Sequence, residues 1–132
     1  FIYENNFNFE YLVDITAIDY LTHPLYQPEK RFGLVYIFYS YRNDIRIIIK
    51  TYLKDTEPMI ESITNIYPSS NFLEREVFDM FGIKFQGHPN LQRLLNPDYL
   101  NGYPLLKDYP LEGNGERDGF TDYRTLIKNE QE

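Results

Sequence analysis

The chain has 132 residues, 20 Asp and Glu against 13 Lys and Arg, and a net charge of −7; at 42% hydrophobic it can bury the core of one domain. With no cysteine and only two histidines, this chain alone cannot build a disulfide, a thiol nucleophile, a cysteine-held iron–sulfur or zinc centre, or a multi-histidine metal site. The acidic balance argues against nonspecific binding to nucleic acid or anionic membranes, and the longest apolar run, residues 34–39, is far short of the ~20 residues of a membrane span.

One alanine against 13 isoleucines and 11 asparagines points to a gene under AT pressure, as in an organellar or AT-rich bacterial genome. The start, Phe1-Ile2-Tyr3-Glu4, has no basic stretch followed by an apolar one, so no signal peptide is expected. Without an initiating methionine, processing or trimming is the expectation.

Residues 10–21 read as a strand in which Val13, Ile15 and Ala17 alternate with Asp14 and Thr16. Pro24 and Pro28 mark a loop over 23–31. Residues 32–41 are apolar on both faces: Phe32, Leu34, Tyr36 and Phe38 on one, Val35, Ile37 and Tyr39 on the other. That predicts a central strand covered on both sides. A polar turn at 42–44 leads to a strand over 45–53, with Ile45, Ile47 and Ile49 inward and Arg46 and Lys50 outward. The two strands form an antiparallel hairpin.

The period then changes. Met59, Ile60, Ile63, Ile66 and Tyr67 recur at helical spacing, with Pro58 in the first turn, and predict an amphipathic helix over 57–67 that Pro68 stops. A second helix is expected over 72–81, with Asn71 and Glu74 as a capping box and Gly82 at the C′ position. Residues 83–85 form a short strand. Residues 96–119 hold three prolines, four glycines and a series of tyrosines and leucines. Such a length without regular structure is uncommon inside a compact domain. Residues 1–95 are therefore read as an α+β domain, and 96–132 as an extended Pro-, Gly- and Tyr-rich tail that packs on a partner surface. Packing on its own sheet is the alternative.

The chemistry-bearing residues cluster around the second helix. Arg75 and Asp79 share a helix side as an i,i+4 pair. Glu74 falls within the apolar arc and admits three roles: helix cap, partner of a basic group across an interface, or acid–base group with a raised pKa. Glu76 and Asp79 lack a third ligand for a hard cation, which favours a solvated face. His88, in Gly87-His88-Pro89-Asn90, is a structural hydrogen-bonder, since no nucleophile or orienting acid accompanies it. Arg93 and Lys107 can pair with carboxylates here or on a neighbour. No catalytic, cofactor-binding or metal site is expected.

The runs Glu74-Arg-Glu-Val-Phe-Asp-Met-Phe-Gly82, Gly87-His-Pro-Asn-Leu-Gln-Arg-Leu-Leu95 and Tyr103-Pro-Leu-Leu-Lys-Asp-Tyr-Pro-Leu111, with Leu12 to Tyr20 and Ile66 to Asn71 upstream, resemble the 30 kDa subunit family of respiratory complex I. The likeness extends over residues 12–113. It departs at Phe72, where the family usually has Trp. It also departs at Asn90, Gln92, Tyr103 and Leu106, where an acid, a base, His and Arg are usual.

The resemblance implies a two-layer α+β sandwich with a mixed, mainly antiparallel sheet and two to three helices. It implies a subunit that binds no flavin or iron–sulfur cluster. That subunit packs in the quinone module of the peripheral arm, beside the 49 kDa subunit and near the terminal-cluster subunit. The parent complex passes electrons from NADH to ubiquinone and pumps protons, on the matrix side of the mitochondrial inner membrane or the cytoplasmic face of a bacterial plasma membrane. In this reading Glu74, Arg75, Glu76, Asp79, His88, Arg93, Tyr103, Lys107 and Asp108 hold the domain or its interfaces together. The alternatives are the same subunit in a plastid-type or archaeal dehydrogenase or a membrane-bound hydrogenase, and a free-standing hydrolase using Glu74, Glu76 and His88.

Overall fold

A computed structural model describes residues 8–115. In chain order it has β1 (Tyr11–Asp19), a 3₁₀ turn (Pro28–Lys30), β2 (Phe32–Ser40), β3 (Ile45–Leu53), β4 (Met59–Glu61), α1 (Ser70–Phe81) and β5 (Lys84–Gln86). β1, β2 and β3 form an antiparallel sheet in that order, and β4 pairs with β5 in a separate parallel pair. Two small sheets thus replace the single mixed sheet expected.

The alternation in β1 survives with one shift. Leu12, Ile15, Ala17 and Asp19 are buried while Val13 is exposed. Between Leu12 and Asp14 the register with β2 slips, so Val13 is the extra residue of a bulge and its side chain leaves the core face. β2 is central, as expected. Phe32, Leu34, Tyr36 and Phe38 are buried on one face, but Val35, Ile37 and Tyr39 are only half-buried on the other. Double covering is not realised, because Val77 of α1 joins the core on the first face. On β3, Ile45, Ile47 and Ile49 pair with Ser40, Phe38 and Tyr36. At the sheet edge only Ile47 of the three is half-buried.

Residues 57–67 do not form a helix, and α1 is the one α-helix among the described residues. Glu57 has φ +50, outside the right-handed helical region. Ile60 pairs with Phe85, Lys84 donates to the Pro58 carbonyl (2.9 Å), and Ser62 N–H donates to the Gln86 carbonyl (2.8 Å). The helical spacing survives as a single turn in which Tyr67 N–H reaches the Ile63 carbonyl (2.8 Å). Met59 and Ile66, two of the five stripe residues, are exposed.

α1 begins two residues before the expected start. Ser69 stands at the N-cap, so Asn71 is already helical and caps nothing. At the other end Gly82 takes φ +75 and donates its N–H to the Phe78 carbonyl (2.9 Å), as its sequence position suggested. A Cβ there would lie 2.6 Å from the Tyr103 ring. Val77 of the helix shares one buried core with Leu34, Ile83 and Phe85, giving two layers around that core. Residues 96–115 contain no helix or strand. Leu106 packs on the core, and Leu105 N–H donates to the Met80 carbonyl (3.1 Å). The rest of the expected tail, 116–132, lies outside the described residues.

Candidate functional site: three buried charge knots

Asp79 is fully buried on α1. One oxygen accepts from Arg93 Nη1 (2.8 Å); the other accepts the backbone N–H groups of Leu94 (3.1 Å), Leu95 (2.7 Å) and Asn96 (2.8 Å). Burial pushes this carboxyl up. The donors of Asn96 and Leu95, with Arg93, outweigh burial and hold it at about 2. Arg93 also donates to the carbonyls of Leu100 (3.0 Å) and Gly102 (2.9 Å) and lies 5.3 Å from the Tyr103 ring. The expected Arg75–Asp79 pair is not made. Arg75 donates instead to the carbonyls of Gln92 (3.1 Å) and Arg93 (3.0 Å). Both residues face the same loop and grip different ends of it.

Glu74 is also fully buried. It accepts from Ile63 N–H (2.8 Å) and Ser62 Oγ (2.7 Å), so it ties β4's exit to α1 and does not cap the helix. His88 Nε2 lies 4.0 Å from Glu74 Oε2, with both side chains inaccessible. His88 Nδ1 accepts from Asn90 N–H (3.0 Å), which assigns the proton to Nε2, and Nε2–H donates to the Asn71 carbonyl (3.0 Å). Tyr36 OH is buried nearby with no hydrogen-bond partner among the described residues. Burial, then the Glu74 charge, pushes this phenol well above its usual range.

The third knot was not foreseen. Arg31, on the loop entering β2, donates to Asp19 (3.0 and 2.9 Å), Asp55 (2.6 Å) and Asp108 (2.9 Å). Asp19 also accepts Leu21 N–H (3.0 Å) and Lys107 N–H (2.9 Å). Burial raises the Asp19 carboxyl, but Arg31 and these N–H donors bring it below its ordinary value. Its acids in turn hold the Arg31 guanidinium firmly charged, Asp19 foremost. The sequence carried one signal for this knot: Asp19 continues the inward parity of Ile15 and Ala17, so a charge points into the core.

The other candidates fall into place around these knots. Tyr103 sits edge-on to Phe78 (6.2 Å) beneath Arg93. Asp108 joins Arg31, whereas Lys107 contributes its backbone and keeps an exposed side chain. Glu76 is exposed and makes no ion pair among the described residues. Glu74, Glu76 and His88 therefore do not converge: two are sealed in the core and the third faces solvent. Among the described residues no group of three or more His, Asp and Glu is placed to hold a metal ion. No described helix is long and apolar enough to cross a membrane.

The geometry defines a small α+β module in which buried carboxylates and guanidinium groups fasten loops to a sheet. Residues 1–115 match the family model of the respiratory-chain NADH dehydrogenase 30 Kd subunit, and the chain belongs to that family. It is 44% identical over 108 residues to NADH-quinone oxidoreductase subunit 5 of Thermus thermophilus, covering 78% of this chain and 52% of that protein. It is 46% identical over 115 residues to an NADH-quinone oxidoreductase subunit of Ruegeria pomeroyi, covering 86% and 54%. The chain thus spans about half the length of these curated relatives. Among solved structures it is similar to a trypsin-resistant fragment of Nqo5 (TM-score 0.57, 40% identity, 63% of this chain and 66% of that one). It is also similar to a chain of the membrane-bound sulfane sulfur reductase, an archaeal respiratory membrane complex (TM-score 0.64, 25% identity, 87% and 67%).

Proposed function

We propose that this chain is a structural, non-redox subunit of a proton-pumping NADH:quinone oxidoreductase, packed in the quinone module of its peripheral arm. The observation that carries the reading is the joint one: membership of the 30 kDa family, and buried charges that all terminate on the chain's own loops. Asp79 and Glu74 are fully buried and accept hydrogen bonds made within the fold, which suits scaffolding and not acid–base chemistry. The chain itself carries no flavin, cluster or quinone, and its neighbours are the 49 kDa subunit and the terminal-cluster subunit. Among the described residues Glu76, Lys107 and Tyr99 are exposed and form part of the surface available to them. The AT-biased composition supports an organellar gene and hence the matrix side of the mitochondrial inner membrane; the bacterial plasma membrane is the counterpart.

The similarity to a chain of an archaeal respiratory membrane complex favours a second reading, the same subunit in a sister machine. A mild-detergent native gel of source membranes, with mass spectrometry of the band holding this chain, separates the two. Co-migration with flavin, iron–sulfur and proton-channel subunits is expected, and the electron-input subunits name the machine. A chain that migrates alone overturns both readings.

A further inference from the structure

The sheet is open along β3. Among the described residues β3 pairs only with β2, in a register unbroken from Phe32–Leu53 to Ser40–Ile45. In an antiparallel ladder every second residue directs its N–H and C=O away from the partner strand, so one edge of β3 presents a row of free backbone groups. The other edge strand is blunted: β1 carries a bulge at Val13 and two aspartates. β3 has no bulge, proline, glycine or acid, and it exposes Ile45, Ile48, Ile49 and Tyr52.

The charge on this side is opposite to that of the chain. Arg46 and Lys50 project from the outward face of β3, and neither has a carboxylate within 4.0 Å among the described residues. Lys50 instead hydrogen-bonds Tyr20 OH and lies 4.7 Å and 5.1 Å from the Tyr20 and Tyr52 rings. Lys30 stands 5.8 Å from the Tyr52 ring. With His23, Leu25 and Gln27 these residues line an open hollow of about 440 Å³. Two of these side chains close over Gly33, where a Cβ would come within 2.8 Å of Tyr20 and 3.0 Å of Lys50. In a chain of net charge −7 this face is locally basic and aromatic.

We propose that the free edge of β3, with the hollow at its end, receives an extended acidic segment of a partner protein as a fourth strand of this sheet. Backbone pairing supplies the binding, as in strand addition generally. Carboxylates at alternate positions meet Arg46 and Lys50, with Lys30 at the hollow, and supply selectivity. A second copy of this chain is the wrong occupant, because its β3 brings the same cations against their like. The inference rests on the subunit role above only for the source of the strand.

The test uses the full chain, isotope-labelled, and a nine-residue synthetic peptide alternating glutamate with valine. The peptide is N-methylated along one edge so that it cannot stack on itself. A lysine–valine peptide of the same design is the control. Slowed amide exchange confined to residues 45–53 is expected with the glutamate peptide. Arg46→Glu with Lys50→Glu should weaken it by at least about tenfold and transfer binding to the lysine peptide. These substitutions lie on an exposed face, and a circular dichroism spectrum matching that of the natural chain establishes that the doubly substituted chain is folded. No protection on β3, protection elsewhere, equal binding of both peptides, or a dimer formed through β3 overturns the proposal. Each of these outcomes is independent of the native gel, so either reading can fail alone.

Discussion

Replacing Asp79 with asparagine removes one negative charge from the point where Arg93 and three backbone N–H groups converge. The carboxyl's fall from 3.8 to about 2, at about 1.4 kcal/mol per pH unit, means that folding favours the charged form by roughly 2 kcal/mol. The asparagine amide must also turn an NH₂ toward donors, leaving one unpaired at about 1–3 kcal/mol. At pH 7 the variant should therefore lose about 3–5 kcal/mol, a large share of the ~5–15 kcal/mol that holds a domain folded. The pH dependence has a definite sign. The folded value lies below the unfolded one, so this stabilisation is complete above about pH 4 and fades as the pH falls through about 2. The gap between natural chain and variant should thus shrink by roughly 2 kcal/mol between pH 5 and pH 2. Asp19 titrates in the same acid range, but it does so in both chains and cancels. Urea unfolding followed by far-ultraviolet circular dichroism across that range measures the gap. A loss below about 1 kcal/mol at pH 7, or a gap that stays constant with pH, refutes the reasoning.

Two further outcomes are expected. Arg31→Met leaves the buried Asp19 carboxyl without its guanidinium and should cost about 3–5 kcal/mol. Asp108→Asn, at a side chain that is 53% exposed, should cost less than about 1 kcal/mol; equal losses in urea melts would contradict this ranking. Gly82→Ala combines φ +75 with a Cβ 2.6 Å from Tyr103. Removing the ring with Tyr103→Ala relieves the clash but not the backbone strain, so a thermodynamic cycle should retain about 1 kcal/mol of penalty.

Legibility from sequence followed the range of the interactions. β1, β2 and β3 were readable because strand alternation is a local pattern imposed by one buried face. The bulge at Val13 escaped because it adds a residue without disturbing that pattern's appearance. Residues 57–67 misled because an extended strand followed by one helical turn mimics helical spacing, and only pairing with β5, more than twenty residues on, decides between them. Gly82 was legible as a helix stop. Asp79's partners were not, since three of the four are backbone N–H groups, which leave no mark in the residue alphabet. The bonds of the Arg31 knot span up to 88 residues of sequence, and only the inward parity of Asp19 hinted at it.

The bond from Lys107 N–H to Asp19 spans 88 residues, and it orders events in time. β2 and β3 meet through a four-residue turn, and β1 follows across the twelve residues 20–31, so the sheet closes early and at modest entropic cost. Asp19 and Arg31 are then in position, with two acids gathered and a third lacking. Only when residues 107 and 108 arrive does the cluster complete, and on a chain made from its N-terminus those residues emerge last. The knot is thus a clasp on a folding sequence: it is complete only in a chain whose sheet and residues 107–108 have both reached their places.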